Sequence, residues 1–105
     1  MRVISGSARG TKLSSIDSLS TRPTQDRVKE SLFNIIFDKI YECDFLDLFA
    51  GSGAIGIEAL SRGANFAVFC DISKESLKFV NENLIKTKIY SNNFRYIMIQ
   101  YFKLI

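Results

Sequence analysis

The sequence predicts an α/β chain: half of a doubly wound sheet, about three parallel strands, preceded by a β-hairpin and a helix. Two observations carry that reading. Short apolar runs at residues 43–49 and 66–70 flank a helix-like segment, 54–62, long enough to cross over between parallel neighbours. Gly51, Gly53 and Gly56 fall where the first run ends and that helix begins.

Taken in order, residues 1–14 hold two short extended stretches around Ser7, Ala8, Arg9 and Gly10, a pattern that reads as a hairpin. Residues 14–20 are serine-rich and read as a loop. In the next segment Pro23 biases Arg22 towards extended geometry, Thr24 suits a helix cap and Asp26 favours the helix's positive end. Val28, Leu32, Ile35, Ile36 and Ile40 recur at helical spacing and predict one buried stripe through residue 40. The strands at 43–49 and 66–70 are expected to be covered on both faces. Gly63 is placed to end the intervening helix in a left-handed cap. A further helix is expected after Ser73 with Leu77, Val80, Leu84 and Ile85 inward, then a turn at Asn92 and Asn93. Residues 94–105 read as a third strand with a tail. The domain plan is one partial domain: an arm at 1–20, an entry loop and helix at 21–41, and the β-α-β-α-β half at 42–105.

Composition bounds the chemistry. The 105 residues suffice for one small domain, and 47% apolar with 24% charged residues is ordinary for a globular chain. No apolar run approaches the about 18–20 residues that span a bilayer, and the N-terminus lacks a secretory core. A cytoplasmic protein with no membrane partner is therefore expected. Histidine is absent, which excludes Ser-His-Asp and Cys-His catalysis and the common histidine zinc sites; no metal is expected. Cys43 and Cys70 fall near opposite ends of adjacent strands and read as reduced thiols. Residues 1–30 carry six basic and three acidic residues, an excess equal to the whole chain's formal +3. Such an arm attracts a phosphate backbone, although charge alone is equally consistent with a solvated surface.

The strongest local signal runs from Asp47 through Phe49, Ala50, Gly51, Ser52 and Gly53 to Gly56. Glycines there admit close backbone approach by a ligand, and the helix start offers unpaired amides. Asp71 ends the next strand, placed to accept hydrogen bonds from both hydroxyls of a ribose. The spacing also fits the dinucleotide fingerprint, so a nicotinamide or flavin enzyme and a purely structural turn stay open. Asp47 favours a third option. A negative charge before the first glycine repels a pyrophosphate and suits a cation such as the methionine end of S-adenosylmethionine.

Several ordered motifs then resemble one family. They are residues 2–6 (Arg-Val-Ile-Ser-Gly), 21–24 (Thr-Arg-Pro-Thr), 27–34 (Arg-Val-Lys-Glu-Ser-Leu-Phe-Asn), 47–53 (Asp-Leu-Phe-Ala-Gly-Ser-Gly) and 58–64 (Glu-Ala-Leu-Ser-Arg-Gly-Ala). With the Asp71 turn they resemble the RsmD family over residues 1 to about 85. The resemblance implies a Rossmann-like S-adenosylmethionine-dependent methyltransferase that modifies the exocyclic N2 of a guanine in 16S ribosomal RNA. By that resemblance Asp47 and Phe49 to Gly53 hold the methionine portion, Asp71 the ribose and Ile72 the adenine. Arg22, Thr24 and Asp26 close over the same pocket, with plain helix capping as the alternative for Thr24 and Asp26. Arg2, Arg9 and Lys12 contact RNA, and ribosomal RNA or the assembling small subunit is the partner.

The family's catalytic signature, an Asp or Asn before Pro-Pro-Tyr or Pro-Pro-Phe, is missing: Pro23 is the single proline. Catalytic residues are therefore unknown, and the chain reads as a shortened product that is inactive alone. A remnant that binds cofactor or RNA without chemistry is the alternative. An unpaired sheet edge is expected to favour self-association.

Overall fold

The computed structural model describes residues 1–15, 23–89 and 94–98. Its elements are α1 (Pro23–Ile35), a 3-10 turn (Phe37–Lys39), β1 (Asp44–Asp47), α2 (Ala54–Ser61), β2 (Phe66–Asp71), α3 (Lys74–Lys86) and β3 (Phe94–Met98). The three strands lie in the order β1-β2-β3, all parallel, with Asp44 opposite Phe66 and Ala67 opposite Phe94. This is the expected α/β half-sheet. The turn expected at residues 92 and 93, the tail beyond 98 and the loop at 16–22 lie outside the described residues.

The N-terminal hairpin forms around an antiparallel bridge between Arg2 and Lys12, closed by Val3 N–H donating to the Thr11 carbonyl and Gly10 N–H to that of Val3. It docks on the last turn of α2. Ser7 N–H donates to the Ser61 carbonyl, Ala8 N–H to Ser61 Oγ, and that hydroxyl donates to the Ser5 carbonyl at 2.7 Å. The approach is so close that a Cβ at Gly6 would lie 1.8 Å from the Ser61 oxygen.

Behind the hairpin, Glu58 of α2 is fully buried. Its carboxylate accepts the Ile4 and Ser5 N–H groups at 2.9 and 3.1 Å and pairs with Lys29 Nζ at 3.1 Å and Arg62 Nε at 2.8 Å. Lys29 in turn donates to the Arg2 carbonyl at 2.7 Å. One carboxylate thus ties the hairpin, α1 and α2 together.

Ile36 and Ile40 pack on the core as expected, but that tie overturns the earlier part of the predicted stripe, Val28, Leu32 and Ile35. Val28 and Ile35 are 66% and 77% exposed, and the buried positions are Lys29 and Phe33. Phe33 stacks on Phe45 of β1 with ring centroids 6.3 Å apart, and the Arg62 guanidinium lies over the Phe33 ring, 4.9 Å from its centroid. The helix carries apolar residues on two adjacent faces, and the ion pair selects the one that contains the lysine. It also stops at Ile35 before the 3-10 turn, rather than running to residue 40. Thr24 falls inside its first turn, not at its cap, because Pro23 occupies a first-turn position for which its fixed φ is suited.

Three further expectations need correction. β1 is shorter than residues 43–49 and is not covered on both faces: Leu46 is 61% exposed, on a strand with one paired edge among the described residues. On α3, Leu77, Val80 and Leu84 are buried, but Ile85 faces solvent because Asn83 takes an inward place beside Leu84. The middle helix ends at Ser61, with Gly63 left-handed behind it as expected. Cys43 and Cys70 are both free.

Replacing Glu58 with Ala strands a buried ammonium and three further donors, the Ile4 and Ser5 amides and the Arg62 guanidinium. Urea denaturation is expected to show a loss of about 3–5 kcal/mol, with Lys29→Met in the same background recovering part of it. A loss under about 1 kcal/mol would refute the central role of this carboxylate.

Candidate functional site

β1 and β2 run parallel, so Asp47 and Asp71 both arrive at the carboxyl edge of the sheet; Asp47 pairs with Phe69, two residues before Asp71. The glycine loop crosses from β1 to α2 over the end of β2. Ala50 N–H donates to the Cys70 carbonyl at 2.9 Å, Gly53 N–H to the Ala50 carbonyl at 2.7 Å, and Gly51 N–H to Asp71 Oδ2 at 2.9 Å. Gly51 and Gly53 take φ of +55° and +83°, a left-handed turn that glycine adopts without strain. Nothing lies within 4 Å of the Cβ position of Gly51, so this turn presents open backbone.

Asp71 has two jobs within the protein. Beside Gly51, its Oδ1 accepts the Ser73 N–H at 2.9 Å, where Ser73 caps α3. Each carboxylate oxygen retains a further lone pair for a hydroxyl donor.

Asp47 is buried. Its Oδ2 accepts the N–H of Gly56, in the first turn of α2, at 3.0 Å. Burial pushes its carboxyl above the usual aspartate range; the Gly56 hydrogen bond opposes that shift and the charge of Asp71 adds to it. The contact depends on glycine, since a Cβ at position 56 would lie 2.4 Å from the Phe69 ring and 3.2 Å from Asp47 Oδ2. Two carboxylates at one sheet edge, one desolvated, favour a positively charged ligand. The same geometry disfavours an anion at the helix start, because the Asp47 carboxylate already accepts the Gly56 amide there.

At the mouth, Phe49 and Ile72 are 73% and 62% exposed. Ile72 directly follows Asp71 and Phe49 lies two residues after Asp47, and large apolar side chains left in solvent there offer surfaces to a flat ring. Ser52 completes the loop, and its carbonyl accepts from Asn83 Nδ2 at 2.9 Å. Asn83 and Glu58 are the functional-scale residues that periodicity missed. Their signal was a polar residue on an inward helical face, between Val80 and Leu84 or between Ile57 and Ala59.

Arg2, Arg9 and Lys12 are exposed on the hairpin, Arg2 and Lys12 opposite each other. Asp26 is placed against this arm: its Oδ1 accepts the Arg2 N–H at 3.2 Å. Arg22 and the Thr24 side chain lie outside the described residues.

The family model described as conserved hypothetical protein 95 matches residues 1–103. The chain belongs to this family, the RsmD family of the motifs. YlbH of Bacillus subtilis is 51% identical over 84 residues, covering 80% of this chain and 46% of that protein. Ribosomal RNA small subunit methyltransferase D of Haemophilus influenzae is 44% identical over 91 residues, covering 87% and 47%. The structure of yhhF from Escherichia coli superposes with a TM-score of 0.78 at 41% identity, covering 92% of this chain and 51% of that one. The chain thus spans about half the length of the relatives it matches.

Asp47 generates a pH prediction. Its folded pKa lies above the unfolded value, so ionised Asp47 costs stability above the folded pKa, and the cost vanishes as pH falls to the ordinary aspartate range. Asp47→Asn is expected to raise the melting temperature at pH 7, with the gain shrinking on acidification. A gain independent of pH, or none, counts against a destabilising buried charge.

Proposed function

We propose that this chain is the cofactor-binding part of an S-adenosylmethionine-dependent ribosomal RNA methyltransferase of the guanine-N2 type. The observation that carries this reading is the desolvated Asp47 carboxylate at the glycine loop, hydrogen-bonded to Gly56. Membership of the family, with relatives named as small-subunit ribosomal RNA methyltransferases, supports the substrate class.

The residues present fit such a cofactor. Asp47 would face the ammonium of the methionine portion, with the backbone of Phe49 to Gly53 wrapped around it. Asp71 would accept the ribose hydroxyls on its spare lone pairs, and Ile72 and Phe49 would flank the adenine. By the family resemblance, Arg22, Thr24 and Asp26 would close over the bound cofactor. When bound, the cofactor supplies an electrophilic methyl group on a sulfonium. Arg2, Arg9 and Lys12 would hold RNA phosphates, which sets position without reading a base. A dinucleotide is disfavoured because Asp47 occupies the Gly56 amide that a pyrophosphate would use.

A second reading is that these residues bind cofactor or RNA without turnover. Methyl transfer to small-subunit RNA by the purified chain would decide for the enzyme, and cofactor binding without transfer for the module. A cytoplasmic location belongs to both readings; no helix among the described residues is long and apolar enough to cross a membrane. Self-association along the outer edge of β1, beside exposed Leu46, belongs to them too, and a monomer on size-exclusion chromatography would remove it.

Isothermal titration should show S-adenosylhomocysteine binding and no NAD binding; the reverse outcome overturns the cofactor assignment. Asp71→Asn keeps the side chain's size and is expected to weaken binding by about 1–3 kcal/mol. For the arm, Arg9→Glu with Lys12→Glu should weaken RNA binding and flatten its dependence on salt by about two counterions. An unchanged salt slope would leave these residues as ordinary surface charge.

A further inference from the structure

Asn83 is fully buried on α3, where an apolar residue would be ordinary. Its carboxamide joins two segments far apart in sequence. Oδ1 accepts the Ser14 N–H at 2.8 Å, while Nδ2 donates to the Ser14 carbonyl at 2.8 Å and the Ser52 carbonyl at 2.9 Å. Those bonds engage both of its N–H donors. The paired exchange with Ser14 also fixes the amide's orientation, because the flipped group would set donor against donor.

Ser14 leaves the hairpin directly after Leu13, whose N–H donates to the Met1 carbonyl. α3 grips it a second time through Lys86 Nζ, which donates to Ser14 Oγ. Ser52 is the residue between the two left-handed glycines. On its other side the loop is anchored to the end of β2 through Cys70 and Asp71. Asn83 therefore supplies the anchor that reaches the loop from α3, and the same side chain holds the base of the basic arm.

We propose that Asn83 is a positioning residue that sets the glycine loop for its ligand and couples the state of that loop to the hairpin arm. The proposal rests on the reading of the loop as the cofactor site. Holding the Ser52 carbonyl fixes the peptide plane that leads into Gly53, and with it the direction of the backbone offered at Gly51. A ligand that orders this plane also steadies the amide group that holds Ser14. By linkage, RNA on the arm and cofactor in the loop then strengthen each other's binding by the same factor.

The test compares wild type, Asn83→Ala, Asn83→Asp and Thr87→Val in the full chain. Asn83→Asp keeps the size and the acceptor for Ser14 N–H, and turns a carboxylate against the Ser14 and Ser52 carbonyls. Thr87→Val removes a buried hydroxyl that donates to the Asn83 carbonyl one turn on, and serves as the purely structural control. Titration with S-adenosylhomocysteine should give a dissociation constant raised on the order of tenfold in both Asn83 variants and unchanged in Thr87→Val. Amide exchange followed by NMR should show ligand slowing exchange at Gly51, Gly53, Leu13 and Ser14 in wild type. In Asn83→Asp at saturation the loop amides should still slow while Leu13 and Ser14 no longer respond. Equal affinity across the set, or a hairpin that responds as in wild type, overturns the proposal. Wild type that takes up no S-adenosylhomocysteine instead sinks the cofactor reading. The coupling is then judged in the free chain, where Asn83→Asp must speed exchange at Gly53 and Ser14 together and fails if only one changes. If Asn83→Ala does not fold, Asn83→Asp alone carries the comparison.

Discussion

The buried carboxylate of Glu58 is the contact on which the rest of the arrangement depends. Placing an ion away from water is costly, and the cost is offset here because two backbone amides, an ammonium and a guanidinium converge on its two oxygens. These partners come from three places: the hairpin, α1 and the residue that caps α2. Their convergence fixes the helix that follows the glycine loop, so an interaction remote from the sheet edge sets the geometry at that edge. Lys29 repeats the device on a smaller scale by donating to Arg2 of the hairpin.

At the sheet edge the two acidic residues resolve opposing demands differently. Asp71 stays partly exposed and spends one contact per oxygen on backbone amides, Gly51 on one side and Ser73 on the other. It shapes the loop and keeps lone pairs for a ligand. Asp47 is desolvated, and the electrostatic cost that raises its pKa in the free chain is the same quantity that a cation would relieve. A site that holds unfavourable charge before binding gains more when the complementary charge arrives.

Much of this was legible in the sequence. The half-sheet, its order of elements, the hairpin, the Ser73 start of α3 and the Gly63 cap follow from local chemistry, because turns and caps depend on a few adjacent residues. The loop with Asp47 and Asp71 was legible for the same reason: strand ends and glycines bring those residues together. What periodicity could not supply was which of two apolar faces of α1 turns inward. Val28, Leu32 and Ile35 make the more hydrophobic stripe, yet Lys29 and Phe33 are buried, since the choice was made by an ion pair across 29 residues of chain. Ile85 and Asn83 show the same limit on α3. A buried amide with three specific partners displaces the apolar residue that pattern alone would put inside.

The buried polar positions that periodicity missed are the ones that join distant parts of the fold. Glu58 connects residues 4 and 5 to α2, and Asn83 connects residue 14 to the loop at residue 52. The hairpin is therefore held at both of its ends by the two helices that flank the glycine loop. α2 begins at the loop and ends at Ser61, beneath the hairpin's turn; α3 begins at the Asp71 turn and reaches Ser14 near its last turn. Each helix spans from the sheet edge to the arm, with a polar contact at both extremes. A displacement at the edge is thus carried to the arm by rigid elements rather than by a flexible linker, because the polar contacts at each helix end leave few ways for the loop to move without shifting what the hairpin rests on.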